Sequence, residues 1–161
     1  MLTLRMRTIH ITMTDRAQPP EPARHPHWEA WRQFFETHAR VFGLVEAEMQ
    51  REHGLSLRWY DVLLHLYAAP QAGLTMGELA DAVVISRSGL TGLVDRMAAA
   101  GLVDRTADPA DRRSIRLTLS DAGRATYLEA RPTHRRAVAD HFLDHLDDEA
   151  AAGILAALRR I

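Results

Sequence analysis

Arginine and small hydroxyl side chains are concentrated in one segment of the chain. Residues 86–116 contain six arginines and four aspartates, and Arg112 and Arg113 are adjacent. A guanidinium group matches the geometry of phosphate oxygens and of the guanine edge, and small hydroxyl groups at the start of a helix suit phosphate contacts. These residue types therefore indicate binding to a polyanion such as DNA. The alternative is an ordinary solvated surface, because exposed arginines are common.

The elements predicted to position these side chains are two helices joined by a tight turn. Thr75 and Glu78 have the spacing of a capping box, which begins a short amphipathic helix. Ser86 can cap a second helix, so the pair forms a helix-turn-helix unit. On that second helix, Arg87 suits a bidentate contact to guanine, and Arg96 suits a phosphate contact or a local pair. The candidate DNA-binding residues of this helix are Ser86, Arg87, Ser88, Thr91 and Arg96.

A β-hairpin is predicted directly after these helices. Residues 102–106 can form a strand, residues 108–111 carry a turn signal, and Ile115, Leu117 and Leu119 alternate with polar residues. A helix-turn-helix followed by a hairpin is a winged helix, with Arg112 and Arg113 at the tip of the wing. Two arginines on a thin projection suit a narrow minor groove, whose negative potential attracts guanidinium groups. The alternative is a surface Asp–Arg pair of little energetic weight.

A specific combination of motifs runs through this segment. V-D-R-M stands at residues 94–97 and G-L-V at 101–103, and the D-R-R of the wing at 111–113 is followed by L-T-L-S at 117–120 and by Gly123. This combination resembles the MarR family of bacterial transcription regulators, and the order of the flanking helices extends the resemblance over residues 28–161. The resemblance implies that Arg113 enters the minor groove and that Asp111 positions it.

The helices on either side of the winged helix are predicted to carry uncovered apolar faces. Pro132 is expected to kink or break the helix that follows the wing. Because one winged helix cannot cover both terminal faces, they require a partner. The resemblance implies that this partner is a second copy of the chain. In the first helix, several side chains follow each other at alternating spacings of three and four residues, which is typical of a helix–helix seam. They are Trp28, Trp31, Phe35, His38, Phe42, Val45 and Met49. The last helix carries Ile154, Leu155, Leu158 and Ile161.

The predicted fold is mainly α with a small β-wing, a winged helix-turn-helix flanked by N- and C-terminal dimerisation helices. Residues 1–26 are expected to form a flexible N-terminal arm, since four prolines between 19 and 26 prevent a continuous helix. Residues 27–161 are expected to form one MarR-like domain. Within it, residues 57–119 form the winged-helix DNA-binding part, and residues 27–53 and 120–161 form the dimerisation helices.

The resemblance also implies a small effector, phenolic or carboxylic, bound between the dimerisation helices and the winged helix. We expect such a ligand to release a repressor from DNA. A histidine inside an aromatic seam, such as His38, could bind an acid or a phenol, but the favoured alternative is a core histidine bonded to backbone. The matching walls of the site are Trp31, Phe34, Phe35 and His38 from the first helix, and Trp59, Tyr60 and His65 from the second.

Other functions have weaker support in the sequence. His134, His141 and His145 are spaced to share one face of the predicted fifth helix, so His141 and His145 are weak candidates for a metal pair in a metal-responsive regulator. A helical interaction protein that binds no DNA, or a carboxylate–histidine hydrolase, would leave the wing unexplained. The sequence has no Gly-rich phosphate loop, no G-x-S-x-G and no H-E-x-x-H, so we predict neither an enzyme nor a cofactor.

Composition narrows the remaining possibilities. The chain has no cysteine, which excludes disulfides and a thiol switch, and all 20 of its basic residues other than histidine are arginines. No apolar run is long enough to span a membrane, and the cytoplasm is the expected compartment. Because the net charge is −1, no global positive field attracts DNA. Affinity for DNA must therefore depend on where the arginines lie.

Overall fold

The structure is a computed structural model that describes residues 26–84, 87–108 and 114–161. Residues 1–25 of the predicted N-terminal arm lie outside the described residues, whereas its last residue, Pro26, begins the first helix. The predicted DNA contacts Ser86, Asp111, Arg112 and Arg113, and the side chains of Arg87 and Ser88, also lie outside them.

Within the described residues, helices and short strands follow the order of a winged helix with flanking helices. This confirms the predicted mainly α fold with a small β-wing. The elements are α1 Pro26–His53, α2 Leu57–Ala68, β1 Leu74–Thr75, α3 Met76–Ala82, α4 Arg87–Ala99, β2 Val103–Ala107, β3 Ile115–Leu119, α5 Asp121–His141, a 3₁₀ turn Leu143–His145, and α6 Asp148–Leu158.

The strands of the described chain form one antiparallel sheet in the order β1–β3–β2. β2 and β3 are the predicted wing, with Val103 opposite Leu119, although β2 begins one residue later than predicted. β1 pairs with β3, so that Leu74 lies opposite Leu117. This strand was not predicted, because two residues show no periodicity. Since β3 is the central strand, Leu117 is fully buried.

The helix boundaries follow from local signals that the sequence carries. Thr75 and Glu78 form the predicted reciprocal capping box, in which each side chain accepts the other residue's backbone N–H. Gly54 and Gly101 have positive φ angles of 61° and 74°, the left-handed conformation that ends a helix. At the start of four described helices, the side chain of Ser56, Thr75, Ser120 or Asp147 accepts a backbone N–H.

Pro132 was expected to kink or break the fifth helix, and the expectation of a break is wrong, because α5 continues through it. Proline removes one helical hydrogen bond and costs about 3 kcal/mol in a helix interior. Pro132 lies on the exposed side of α5, whereas Ala130, Thr133 and Ala137 are buried. Packing of that buried side offsets the lost bond. The helix ends at His141.

The chain divides into two compact units, Met1–His38 and Ala39–Ile161. The core of the second unit is built from the later half of α1, from α2 to α4, from the sheet and from α5. Its largest fully buried side chains are Met49, Leu63, Leu79, Leu90, Met97, Leu117, Val62 and Val94. None of the helices described is both long enough and apolar enough to cross a bilayer.

Candidate nucleic-acid interface

Helix α4 has one buried apolar face and one exposed polar face. Leu90, Val94 and Met97 are buried in the core, whereas Thr91 and Arg96 are exposed. The Arg96 guanidinium lies over Gly92, since a Cβ placed on that glycine would be 3.6 Å from Arg96 Nη1. The lack of a side chain at Gly92 therefore leaves room for Arg96 to extend along the polar face.

A carboxylate of α2 holds the turn before α4. Asp61 Oδ2 accepts the backbone N–H of Val84 at 3.3 Å, and His65 Nε2 lies 3.4 Å from Asp61 Oδ1. Val84 is the last described residue before α4 begins at Arg87. His65, predicted as a wall of a ligand site, is therefore beside an acid that fixes this turn.

The wing narrows to a hydrogen-bonded base. Asp108 N donates to Ser114 O at 3.0 Å, which closes the hairpin on either side of residues 109–113. The register of β2 and β3 ends just before this bond, with Ala107 opposite Ile115. The predicted DNA contacts Asp111, Arg112 and Arg113 fall within residues 109–113, outside the described residues.

Among the described side chains of this segment, Arg105 and Arg116 bind acids of the same chain. Arg105 pairs with Asp95 of α4. Arg116 Nε donates to Asp108 Oδ2 at 2.9 Å. Neither pair was predicted from the sequence, although an acid and an arginine on the two sides of a predicted hairpin turn, Asp108 and Arg116, were a usable signal. The remaining arginines of the segment are Arg87, Arg96, Arg112 and Arg113.

The predicted ligand walls of the first unit are exposed aromatic side chains. The Trp31 ring centroid is 6.2 Å from those of Phe34 and Phe35, and the His38 ring stacks on Phe34 with a centroid distance of 6.5 Å. His38 is exposed, so the alternative of a buried core histidine is wrong for a single chain.

The predicted ligand wall Tyr60, in the second unit, is part of a buried aromatic stack. Its ring centroid is 4.3 Å from that of His134 and 5.5 Å from that of Tyr127 on α5, and Trp59 beside it is half-buried. Burial raises the pKa of Tyr60 to about 12 and lowers the pKa of His134. Tyr67 continues the stack, 4.5 Å from Tyr127. Sequence reasoning missed this stack, which depends on the packing of α2 on α5.

The three C-terminal histidines do not share a helix face as predicted. α5 ends at His141, and His145 lies in the separate 3₁₀ turn. His134 is in the aromatic stack, and His141 Nε2 lies 2.6 Å from Glu48 Oε1. Among the described residues, no group of three or more metal-ligating side chains converges. The weak metal pair His141 and His145 therefore has a different geometry from the one its spacing indicated.

A helix-turn-helix with an adjacent two-stranded wing defines the winged-helix class. Residues 53–114 match a family model described as the MarR family. The structure is similar to that of AbsC, a MarR family transcriptional regulator from Streptomyces coelicolor, with a TM-score of 0.76 and 30% identity over 81% of this chain and 88% of that chain. It is also similar to Sco3205 from Streptomyces coelicolor, a MarR family regulator solved in complex with DNA, with a TM-score of 0.78 and 28% identity over 84% of this chain and 85% of that chain.

A curated relative is also similar over about half of this chain. The transcriptional activatory protein BadR of Rhodopseudomonas palustris is 40% identical over 81 residues, which are 50% of this chain and 43% of that protein. The chain spans about half the length of the curated relatives that it matches. The chain belongs to the MarR family of DNA-binding transcriptional regulators. Its relatives and its fold are those of regulators and not of enzymes.

Proposed function

We propose that this protein binds a specific double-stranded operator as a homodimer and regulates transcription from it. The observation that carries the proposal is the position of α4, whose polar face is exposed beside a hairpin closed at Asp108 and Ser114. The DNA complex of the similar regulator Sco3205 supports this use of the fold.

Each candidate contact has a separate role in the proposal. Ser86, Ser88 and Thr91 contact phosphates and base edges near the start of α4, and Arg87 reads a guanine. Arg96 contacts a phosphate, which adds affinity without sequence information. Arg112 and Arg113 approach the minor groove, and Asp111 orients Arg113.

The homodimer is supported by apolar side chains that a single chain leaves uncovered. Leu155 and Leu158 of α6 are exposed, as are Trp31 and Phe35 of α1. A two-fold axis relating two chains would place two recognition helices in successive major grooves of a pseudo-palindrome, roughly 34–36 Å apart.

We further propose that the protein is a repressor released by a small phenolic or carboxylic ligand. The aromatic and histidine side chains predicted for this role are Trp31, Phe35, His38, Trp59, Tyr60 and His65, of which Tyr60 is buried within a single chain. Such a ligand releases DNA only if it binds the two recognition-helix spacings with different affinities. Displacement of labelled operator by a panel of phenolic and carboxylic acids tests this regulation separately from DNA binding itself.

The test of DNA binding begins with selection of an operator from random duplexes by the intact protein. Fluorescence anisotropy then compares variants on the selected site and on random DNA. Arg87→Ala should lose roughly 1–3 kcal/mol on the operator and little on random DNA, because it removes a base contact. Arg96→Ala should weaken both complexes alike. Arg58→Ala, at an exposed position of α2, removes the same charge as a control.

Recovery of no preferred sequence from the selection would contradict specific DNA binding. Equal losses on the two DNAs for Arg87→Ala would contradict its base-reading role. Arg113→Ala should weaken binding while the dimer remains intact, and an unchanged affinity would contradict the assignment of the wing.

A further inference from the structure

A group of charged side chains connects the base of the wing to the start of α3. Arg116 on β3 donates from Nε to Asp108 Oδ2 at 2.9 Å and from Nη1 to the carbonyl of Gly73 at 3.3 Å. Its Nη1 also lies 3.8 Å from Glu78 Oε2, the carboxylate of the capping box. One guanidinium therefore contacts the end of β2, the loop before β1 and the first turn of α3.

Of the two carboxylates in this group, that of Asp108 is buried, at the residue that directly follows β2. Asp108 is only 5% exposed, and its backbone N–H closes the hairpin onto Ser114. A buried carboxylate is costly unless a charge or hydrogen-bond donors compensate it. The side chain of Arg116, which is three-quarters buried, supplies this compensating positive charge.

The backbone around Arg116 is built to bring these partners close. Gly73 has a φ of +74°, and a Cβ on it would lie 2.2 Å from the carbonyl oxygen of Leu117. Only glycine permits this approach of the loop to β3, which brings the Gly73 carbonyl within reach of Arg116. Thr75 lies directly opposite Arg116 in the sheet, so the α3 cap is in register with the wing.

We propose that Arg116 is a positioning residue for the wing and not a DNA contact. Its guanidinium fixes the two strands at Asp108 relative to α3, and this fixed base determines how the tip arginines approach DNA. The inference rests on the proposed DNA-binding function. It reverses the simplest interpretation of the sequence, in which Arg116 adds to the positive charge available for phosphates.

The salt dependence of DNA binding separates the two roles of an arginine. The slope of log K against log salt is negative, and each phosphate contact that is lost reduces its magnitude by about 0.9. Loss of positioning lowers affinity and leaves the slope unchanged. We therefore expect Arg116→Gln and Asp108→Asn each to weaken operator binding by roughly tenfold, with the slope of the wild type. The double variant should be no weaker than the weaker single variant, because both changes act on the same contact between Asp108 and Arg116.

Two further variants complete the comparison. Arg96→Gln, at the proposed phosphate contact, should reduce the magnitude of the slope by about one. Arg116→Lys keeps the charge but cannot contact Asp108 and Gly73 through a planar fork, so it should lose affinity at an unchanged slope. Hydrogen exchange without DNA should be faster in β2 and β3 of Arg116→Gln than in the wild type, and unchanged in α2.

The outcomes that would overturn the inference are specific. If Arg116→Gln reduces the magnitude of the slope by about one and Asp108→Asn tightens binding, Arg116 contacts DNA. If hydrogen exchange in the wing strands of Arg116→Gln equals that of the wild type, the contact does not hold the wing. A wild-type protein that selects no DNA sequence would refute the proposed function instead, and the exchange measurement would still test the contact.

Discussion

The winged helix and α6 differ in how far a single chain buries their apolar side chains. In the winged helix, Leu63, Leu90 and Leu117 are fully buried within one chain. In α6, Leu155 is 52% exposed and Leu158 is 46% exposed, and no residue of that helix is buried. The DNA-reading part therefore has a complete core of its own, whereas α6 has an apolar stripe that another surface must cover.

The same difference occurs along α1. Val45 and Met49, near its end, are buried in the core of the second unit. Trp31 and Phe35, in the first unit, are exposed although they follow the same spacing. A regular seam in the sequence thus contains one part that the chain buries itself and another part that it leaves for a partner.

The largest effect is expected from charges placed on the α6 stripe. The double substitution Leu155→Glu and Leu158→Glu should abolish dimerisation without unfolding the chain, because both side chains are already exposed in a single chain. Operator affinity should fall by roughly 10²–10⁴-fold, since two linked half-site contacts become independent. Sedimentation velocity and fluorescence anisotropy measure the two losses.

Ala156→Glu is the matched control for this experiment. It places one carboxylate on α6, about 100° of helix rotation from Leu155 and farther from Leu158. This variant should remain a dimer and bind the operator. If the double variant also remains a dimer, the stripe is not the interface.

The next effect concerns the self-contained core. Leu90→Ala removes a fully buried side chain of α4 and should lower the free energy of unfolding by roughly 2–5 kcal/mol. Val84→Ala, at a side chain that is 97% exposed, should change it by less than about 0.5 kcal/mol. Urea unfolding of both variants measures the difference, and equal losses would contradict the assignment of α4 to the core.

Local signals in the sequence predicted most of the architecture. Thr75, Ser120 and Asp147 mark helix starts because capping depends on neighbours only a few residues away. The two-residue strand β1 carries no such signal. Pro132 was misjudged because tertiary packing, which is absent from local pattern, determines whether a helix tolerates it.

The candidate site was predictable in its residue types but not in its internal contacts. The exposed positions of Thr91 and Arg96 follow from helical periodicity. The pairing of Arg116 with Asp108 depends on hairpin register and on the loop at Gly73. The bond from Val84 to Asp61 joins residues 23 apart and has no local signature.

The smallest effect is a pH dependence at the junction of α2 and α5. Burial lowers the pKa of His134 from 6.5, so acid protonates this histidine more readily in the unfolded chain. Its contribution to stability is present above pH 6.5 and is lost as the pH falls through the lowered pKa. His134→Phe keeps a ring against Tyr60 but cannot titrate.

The thermal midpoint of the wild type should therefore fall more than that of His134→Phe between about pH 7.5 and about pH 5.5. Differential scanning calorimetry at matched ionic strength measures both midpoints. Equal decreases in the two proteins would show that the buried stack does not contribute to the acid sensitivity.

Sedimentation equilibrium of the intact chain tests most directly whether one chain is incomplete without a second. A chain of 18.1 kDa should sediment as a single species of twice that mass, about 36 kDa, at the concentrations that bind operator. If the intact chain instead sediments as a folded species of 18.1 kDa at the concentrations that bind operator, the account is contradicted.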